Sequence, residues 1–297
     1  MNHDSLNLLL RNLRLFGMLK HAQELAITAE REGMTFLAYL HLLAEVEHQE
    51  RLARRTDRLR KGSALPASKT LANLQQDRLS EPVRRQMATL CTGEFVTKAR
   101  NVLAFGLPGR GKTHLLCAIG HALVDAGHTV LFTPAFKLVQ RLLAAKAELR
   151  LDKELRRLDH FDAVIVDDIG YVQQNRDEME VLFTFLAERY ERKSVLISSN
   201  LVFSQWDRIF KDPMTTAAAI DRLVHHAHIL ELAGASFRTE TAAKHKNLNT
   251  GDNYPASDNY PAKATTDDED STNTTNPAAA ARAGGPHPVS HGAEVNF

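Results

Sequence analysis

Gly106-Leu107-Pro108-Gly109-Arg110-Gly111-Lys112-Thr113 is the segment from which the rest of the chain can be ordered. It fits G-x-x-x-x-G-K-[ST], a loop shaped by polyphosphate binding. Gly106, Gly109 and Gly111 reach backbone conformations closed to other residues. Successive N–H groups, those of Leu107, Pro108's neighbours and Arg110 included, are then free to point inward at phosphate oxygens. Lys112 is expected to reach the β- and γ-phosphates, and the Thr113 hydroxyl to hold Mg²⁺. The context matches. Asn101-Val-Leu-Ala-Phe105 reads as a buried strand entering the loop, and His114-Leu-Leu-Cys-Ala-Ile-Gly-His-Ala-Leu-Val124 as the helix leaving it. A bound anion would sit on that helix's N-terminus, with His114 in its first turn beside the phosphates.

Downstream, strand and helix patterns alternate. Strands are expected at Thr129–Phe132, Ala163–Val166 and Ser194–Ser198, and helices from Ala135 to about Leu149 and from about Asp177 to Arg189. Short apolar, β-branched runs without alternation suit strands buried on both faces of a parallel sheet. The fold class is therefore α/β, a three-layer α/β/α core of the P-loop NTPase kind. Val164-Ile-Val-Asp-Asp168 ends an apolar strand in two carboxylates at the edge where the phosphate loop lies. Asp167 is placed to bind Mg²⁺, and Asp168 to orient or deprotonate an attacking water. Ser198-Ser-Asn200 ends the following strand, where the Asn200 amide could bond a γ-phosphate or that water. Ser204-Gln-Trp-Asp207 resembles a capping box opening a short helix, and Trp206 reads as a core or interface anchor.

The first 62 residues read as a small helical domain with a basic end. Leu6, Leu9, Leu10 and Leu13 share one helix face, with an end expected near Gly17; Leu19, Leu25 and Ala29 mark a second helix, stopped by Gly33. Thr35 can cap a third, whose apolar stripe runs through Phe36, Leu37, Leu40 and Leu43. Beyond Glu50 it turns basic, with Arg51, Arg54, Arg55, Arg58, Arg60 and Lys61 against Asp57 alone. Such a run is either a solvated helix face or a contact for a phosphate backbone. Residues 62–68 form a linker by composition, residues 63–240 the ATPase-type domain, and Pro82 to Leu90 a further helix. From 241 to 297 the sequence turns polar and low in complexity, with Asp-Asn-Tyr-Pro-Ala at 252–256 and again at 258–262. That composition predicts a disordered tail.

Bulk numbers exclude more than they assign. Of 297 residues, 43% are hydrophobic and 25% charged, and the net charge is +1. The tail carries four basic and seven acidic groups, which leaves 33 basic and 29 acidic residues in the remainder, a net +4. Local clusters, not overall charge, must carry any reading of nucleic-acid binding. No run approaches a membrane span and no signal peptide is visible, so the cytoplasm is expected. Cys91 and Cys117 cannot make a disulfide framework. His225, His226 and His228 lack a second ligand pair for a metal.

Taken in order, Gly-x-x-Gly-x-Gly-Lys-Thr-His-Leu, Ile-Val-Asp-Asp-Ile-Gly-Tyr, Arg-Tyr-Glu-Arg-Lys-Ser, Asp221-Arg-Leu-Val-His-His-Ala-His228 and Gly234-Ala-Ser-Phe-Arg238 resemble the IstB-type ATPases. These are AAA+ helpers of insertion-sequence transposition, related to the DnaC helicase loader, and the resemblance covers roughly residues 5–240. It implies ATP and Mg²⁺ as cofactors, with Lys112 and Thr113 as the Walker A pair and Asp167 as the Walker B acid. Asp168 stands where many AAA+ enzymes have Glu, Asn200 matches sensor 1, and Arg238 is a weak match to sensor 2. Arg222 matches the arginine finger that reaches a neighbouring subunit's γ-phosphate; an intramolecular ion pair is the plainer role for it. The implied partners are a transposase, or a replicative helicase in the loader branch, and further copies of the chain in a homo-oligomer. Double-stranded DNA would be engaged without sequence preference along Lys137, Arg141, Lys146, Arg150, Lys153, Arg156 and Arg157, where Leu138, Leu142 and Leu149 face the core. A nucleotide-gated scaffold with negligible hydrolysis and a small-molecule P-loop kinase are the readings of other classes.

Overall fold

A parallel sheet of five strands in the order β2-β3-β4-β1-β5 carries the phosphate loop at its C-terminal edge. The computed structural model describes residues 3–171, 176–210 and 212–233, all within one compact unit. The expected tail and Arg238 lie outside the described residues. Strands β1 (Val102–Phe105), β2 (Val130–Pro134), β3 (Ala163–Asp167), β4 (Ser194–Ser199) and β5 (His228–Glu231) all run the same way. Side chains of β1 and β4 are buried throughout, as parallel strands covered on both faces require.

Helices cover both faces. On one side lie α6 (Lys112–Asp125), α4 (Glu81–Leu90) and the four-residue α5 (Glu94–Thr97), with Leu115, Leu116, Ile119 and Leu123 fully buried. On the other lie α7 (Ala135–Ala147), α8 (Leu151–Asp159), α9 (Arg176–Arg189), the short α10 (Asp207–Phe210) and α11 (Pro213–Val224). Trp206 is fully buried there, a core residue against Phe105, Phe203 and Phe210. Ser204 sits within a 3₁₀ turn, Phe203–Gln205, ahead of α10. Arg189 is 1% exposed and donates to the carbonyls of Leu158, Phe161 and Ser194, tying the ends of α8 and β4. Burial lowers its pKa to about 10, so it stays charged at neutral pH.

The helix expected from Ala135 to about Leu149 is α7, which ends at Ala147. Leu149 adopts φ 54° and is 96% exposed, so it does not face the core; Leu138 and Leu142 do. Strand β5 and helices α5, α8 and α11 are additions to the elements read from the sequence.

The N-terminal segment supplies α1 (His3–Asn12), α2 (Phe16–Arg31) and α3 (Phe36–Gly62). Thr35 caps α3 by accepting from the Ala38 N–H at 3.3 Å. Gly17 does not end α1; it lies in the first turn of α2. Its N–H and that of Met18 donate to the buried Glu47 carboxylate of α3 at 2.6 and 3.1 Å. A negative side chain from a neighbouring helix thus satisfies N–H groups that a helix start leaves open. Any Cβ at Gly17 would stand 2.9 Å from Glu47 Cα, so the close approach requires glycine. Phe36, Leu37 and Leu40 are 95%, 79% and 57% exposed, so the expected stripe buries only its Leu43 end within this chain. Among the described residues, no helix is long and apolar enough to cross a membrane.

Candidate functional site

The phosphate loop turns on three glycines at φ 149°, 80° and 86°, Gly106, Gly109 and Gly111. At Gly106 the constraint is double, since a Cβ would also lie 2.5 Å from the Leu232 carbonyl oxygen. Lys112 and Thr113 open α6, and the Lys112 ammonium donates to the carbonyls of Gly106 and Leu107 at 2.6 and 3.1 Å. The same backbone therefore brings three things together: a cation, a helix N-terminus and a concave run of N–H groups. These suit a polyphosphate.

Strand register delivers the acids. Ala104 pairs with Ser198, and Val166 with Ile197, so the ends of β1, β4 and β3 come level beside the loop. Ser198 Oγ donates to Asp167 Oδ1 at 2.6 Å and accepts the Asp168 N–H at 2.8 Å. Ser198 thereby fixes both carboxylate residues. The sequence showed it only as a polar strand end. Asp168 takes φ 57°, which swings the chain off the strand and turns its side chain into the pocket. Asn200 reaches the same pocket; its Oδ1 is buried without a hydrogen-bond partner among the described residues. A Cβ at Gly170 would meet that oxygen at 2.2 Å, so glycine there makes room for the amide.

The pocket holds about 250 Å³ and is lined by residues 108–114, Asp168 and Asn200. Lys69, Asn73, Leu74 and Gln75 line it too, from a stretch that composition marks only as sequence following a linker. That segment is docked on the core. The Ser63 carbonyl accepts the Phe132 N–H at 2.7 Å, His114 Nε2 meets the Thr70 carbonyl at 3.0 Å, and His121 Nε2 meets that of Pro66 at 3.1 Å.

Arg222 is not brought to this pocket. It lies in the last turn of α11, and its carbonyl lies 3.5 Å from Asn101 Nδ2 at the start of β1. The phosphate loop follows the other end of β1, about 13 Å away at roughly 3.3 Å per strand residue. The guanidinium stacks 4.7 Å from the Phe183 ring centre, and its Nη1 is buried with no hydrogen-bond partner among the described residues. The plainer role, an ion pair within the chain, is not what the geometry displays.

The basic stretches are partly neutralised. Arg141 pairs with Glu154, Arg150 with Glu148, and Lys146 with Asp177 and Glu180 at 3.0 and 2.9 Å. A cleft between α7 and α8 still gathers Arg141, Arg150, Lys153, Arg156, Arg157 and His160. On α3, Arg51 and Arg54 pair with Glu47, and Arg60 with Asp125 of α6 at 2.7 Å.

The model of the IstB-like ATP binding protein family matches residues 8–245. A protein of Sinorhizobium fredii, named as an insertion sequence ATP-binding protein, is 40% identical over 242 residues, 81% of each chain. One of Pseudomonas aeruginosa, named for the insertion sequence IS21, is 35% identical over 87% of this chain and 97% of its own. The crystal structure of DnaI is similar over 58% of this chain and 96% of that one, at 19% identity and a TM-score of 0.48. With more than half its length matched and relatives above 30% identity, this chain belongs to the IstB-like ATP binding protein family.

Proposed function

We propose that this chain binds ATP with Mg²⁺, hydrolyses it, and assembles through it on double-stranded DNA to assist a transposase. The observation that carries the reading is the split between two sheet edges. Lys112, Thr113, Asp167, Asp168 and Asn200 gather at one, while Arg222 stands at the other, out of reach of its own pocket. A site missing its finger within the chain is completed by the next copy. The names of the relatives, insertion sequence ATP-binding proteins, support a transposition partner over a helicase.

The roles follow from position. The loop residues 106–111 and Lys112 hold the phosphates, and His114 steadies the first turn of α6. Thr113 and Asp167 would hold Mg²⁺, which supplies neutralisation of the charge on the transferred phosphoryl oxygens. Ser198 keeps the Asp167 carboxylate aimed by donating to it. Asp168 accepts a proton from the attacking water, and Asn200 orients that water. Arg222 from a neighbouring copy rewards only a nucleotide with a γ-phosphate, which ties assembly to ATP. Residues 1–62 serve as the helical domain and 63–240 as the ATPase domain. The α7–α8 cleft and the basic end of α3 offer phosphate-backbone contacts without base reading. A nucleotide-gated scaffold is the second reading, favoured by Asp168, whose side chain is one carbon shorter than Glu at a strained backbone position.

Size-exclusion analysis with duplex DNA is the test. ATP should drive assembly and ADP should not, and Lys112→Ala should abolish the ATP effect. Unchanged assembly by Lys112→Ala sinks the mechanism.

A further inference from the structure

The segment that lines the pocket beside the phosphate loop presents a cation of its own. Lys69 lies in the segment joining α3 to α4, where its N–H donates to the Pro66 carbonyl at 3.1 Å and turns the chain toward the pocket. His114 and His121, both on α6, hold the carbonyls of Thr70 and Pro66 on either side of it. Lys69 is therefore fixed relative to the helix that leaves the phosphate loop.

Its side chain is half-buried, and its ammonium has no ion pair or hydrogen bond among the described residues. A second, independent sign points the same way. Arg110 lines the same pocket, and its Nη1 is buried with no hydrogen-bond partner among the described residues. Geometry also locates Lys69: His114 stands in the first turn of α6, directly after Lys112 and Thr113, and its 3.0 Å contact with the Thr70 carbonyl holds the neighbouring Lys69 near the phosphate end of the pocket.

We infer that Lys69 is a phosphate-contacting residue, reaching the nucleotide's polyphosphate from the segment that joins α3 to α4. The inference rests on the nucleotide reading of this pocket. A compact, strongly hydrated ammonium seeks anionic oxygen, whereas a purine offers only neutral acceptors. Leu74 and the neighbouring backbone suit the base better. Since Ser63 follows α3 directly, a nucleotide that engages Lys69 also tightens the strap from Ser63 to Gln75 that anchors the basic helix.

The test uses the full chain with ATP, ADP and adenosine, measured by displacement of a fluorescent ATP analogue. Lys69→Met, close in volume but neutral, should lose affinity for ATP and ADP by about tenfold or more, as for a charge-assisted hydrogen bond. It should keep its affinity for adenosine, and Lys69→Arg should restore most of the loss. In the unaltered chain, ATP but not adenosine should protect Lys69 from amine acylation read by mass spectrometry. That footprint decides the matter even where Lys69→Met folds poorly. Unchanged ATP affinity in Lys69→Met, an equal loss for adenosine, or an unprotected Lys69 overturns the inference. Binding lost in Lys112→Ala but intact in Lys69→Met removes Lys69 alone; an unaltered chain that binds no ATP removes the nucleotide reading itself.

Discussion

At Gly106 two demands meet, one from the chain's own backbone and one from a neighbour. Its φ of 149° is hostile to a side chain, and the Leu232 carbonyl lies where a Cβ would go. Gly106→Ala should therefore cost about 2 kcal/mol or more in stability and displace the carbonyl that holds Lys112. Gly62→Ala is the control. With nothing within 4 Å of its added methyl and a helical backbone, it should be neutral or slightly stabilising. Urea unfolding of the two variants checks this, and equal behaviour would refute it. The first glycine of the motif was legible in the sequence, but its reason was not. The motif implies a tight loop; that Leu232 presses on it depends on β5, a four-residue edge strand hidden in a histidine-rich run. Asp168 is similar: its position was readable, and its left-handed backbone was not, because no glycine marks the turn.

Among the elements, those carried by an apolar run are readable. Strands β1 to β4 and helices α6, α7 and α9 stand where such runs put them. Helix α8, by contrast, is concealed, because its Lys153, Arg156 and Arg157 read as a continuation of the basic face of α7. The end of α1 was misplaced because Gly17 looked like a stop. It is in fact the seat of a tertiary contact thirty residues away in sequence. That contact makes a prediction about the α2–α3 pair. Burial raises the Glu47 pKa, but Arg51 and the N–H groups of Met18 and Gly17 outweigh it and hold the carboxyl below the usual range. Glu47→Ala should orphan those N–H groups and loosen the pair by about 2 kcal/mol. Hydrogen exchange at amides 17 and 18 should accelerate by one to two orders of magnitude, by about tenfold per 1.4 kcal/mol. Protection that survives the substitution would show that packing alone holds α2.

Across the whole molecule, the sheet separates what one site needs. Phosphate loop and acids stand at the C-terminal edge, and Arg222 at the N-terminal edge beside Asn101. Within one chain the buried length of β1 lies between them. In the proposed assembly, head-to-tail contacts between identical copies would set one copy's edge against the next copy's pocket. The arrangement predicts complementation between two defective chains. Asp168→Asn keeps Lys112 and Arg222 but lacks the proposed acceptor of the water's proton; Arg222→Ala keeps the whole pocket but lacks the proposed finger. Each alone should turn over ATP poorly, by a factor of about 10³ for a missing arginine finger. Mixed in equal amounts, roughly a quarter of the interfaces should pair an intact pocket with an intact finger, as random filling of a head-to-tail assembly requires. ATP turnover in the mixture should therefore rise to about that fraction of the unaltered chain, with DNA present throughout. Had Arg222 served its own pocket instead, no mixed interface could be whole, and the mixture would show no more than the average of its two components. The outcome separates a site shared between copies from one contained in each.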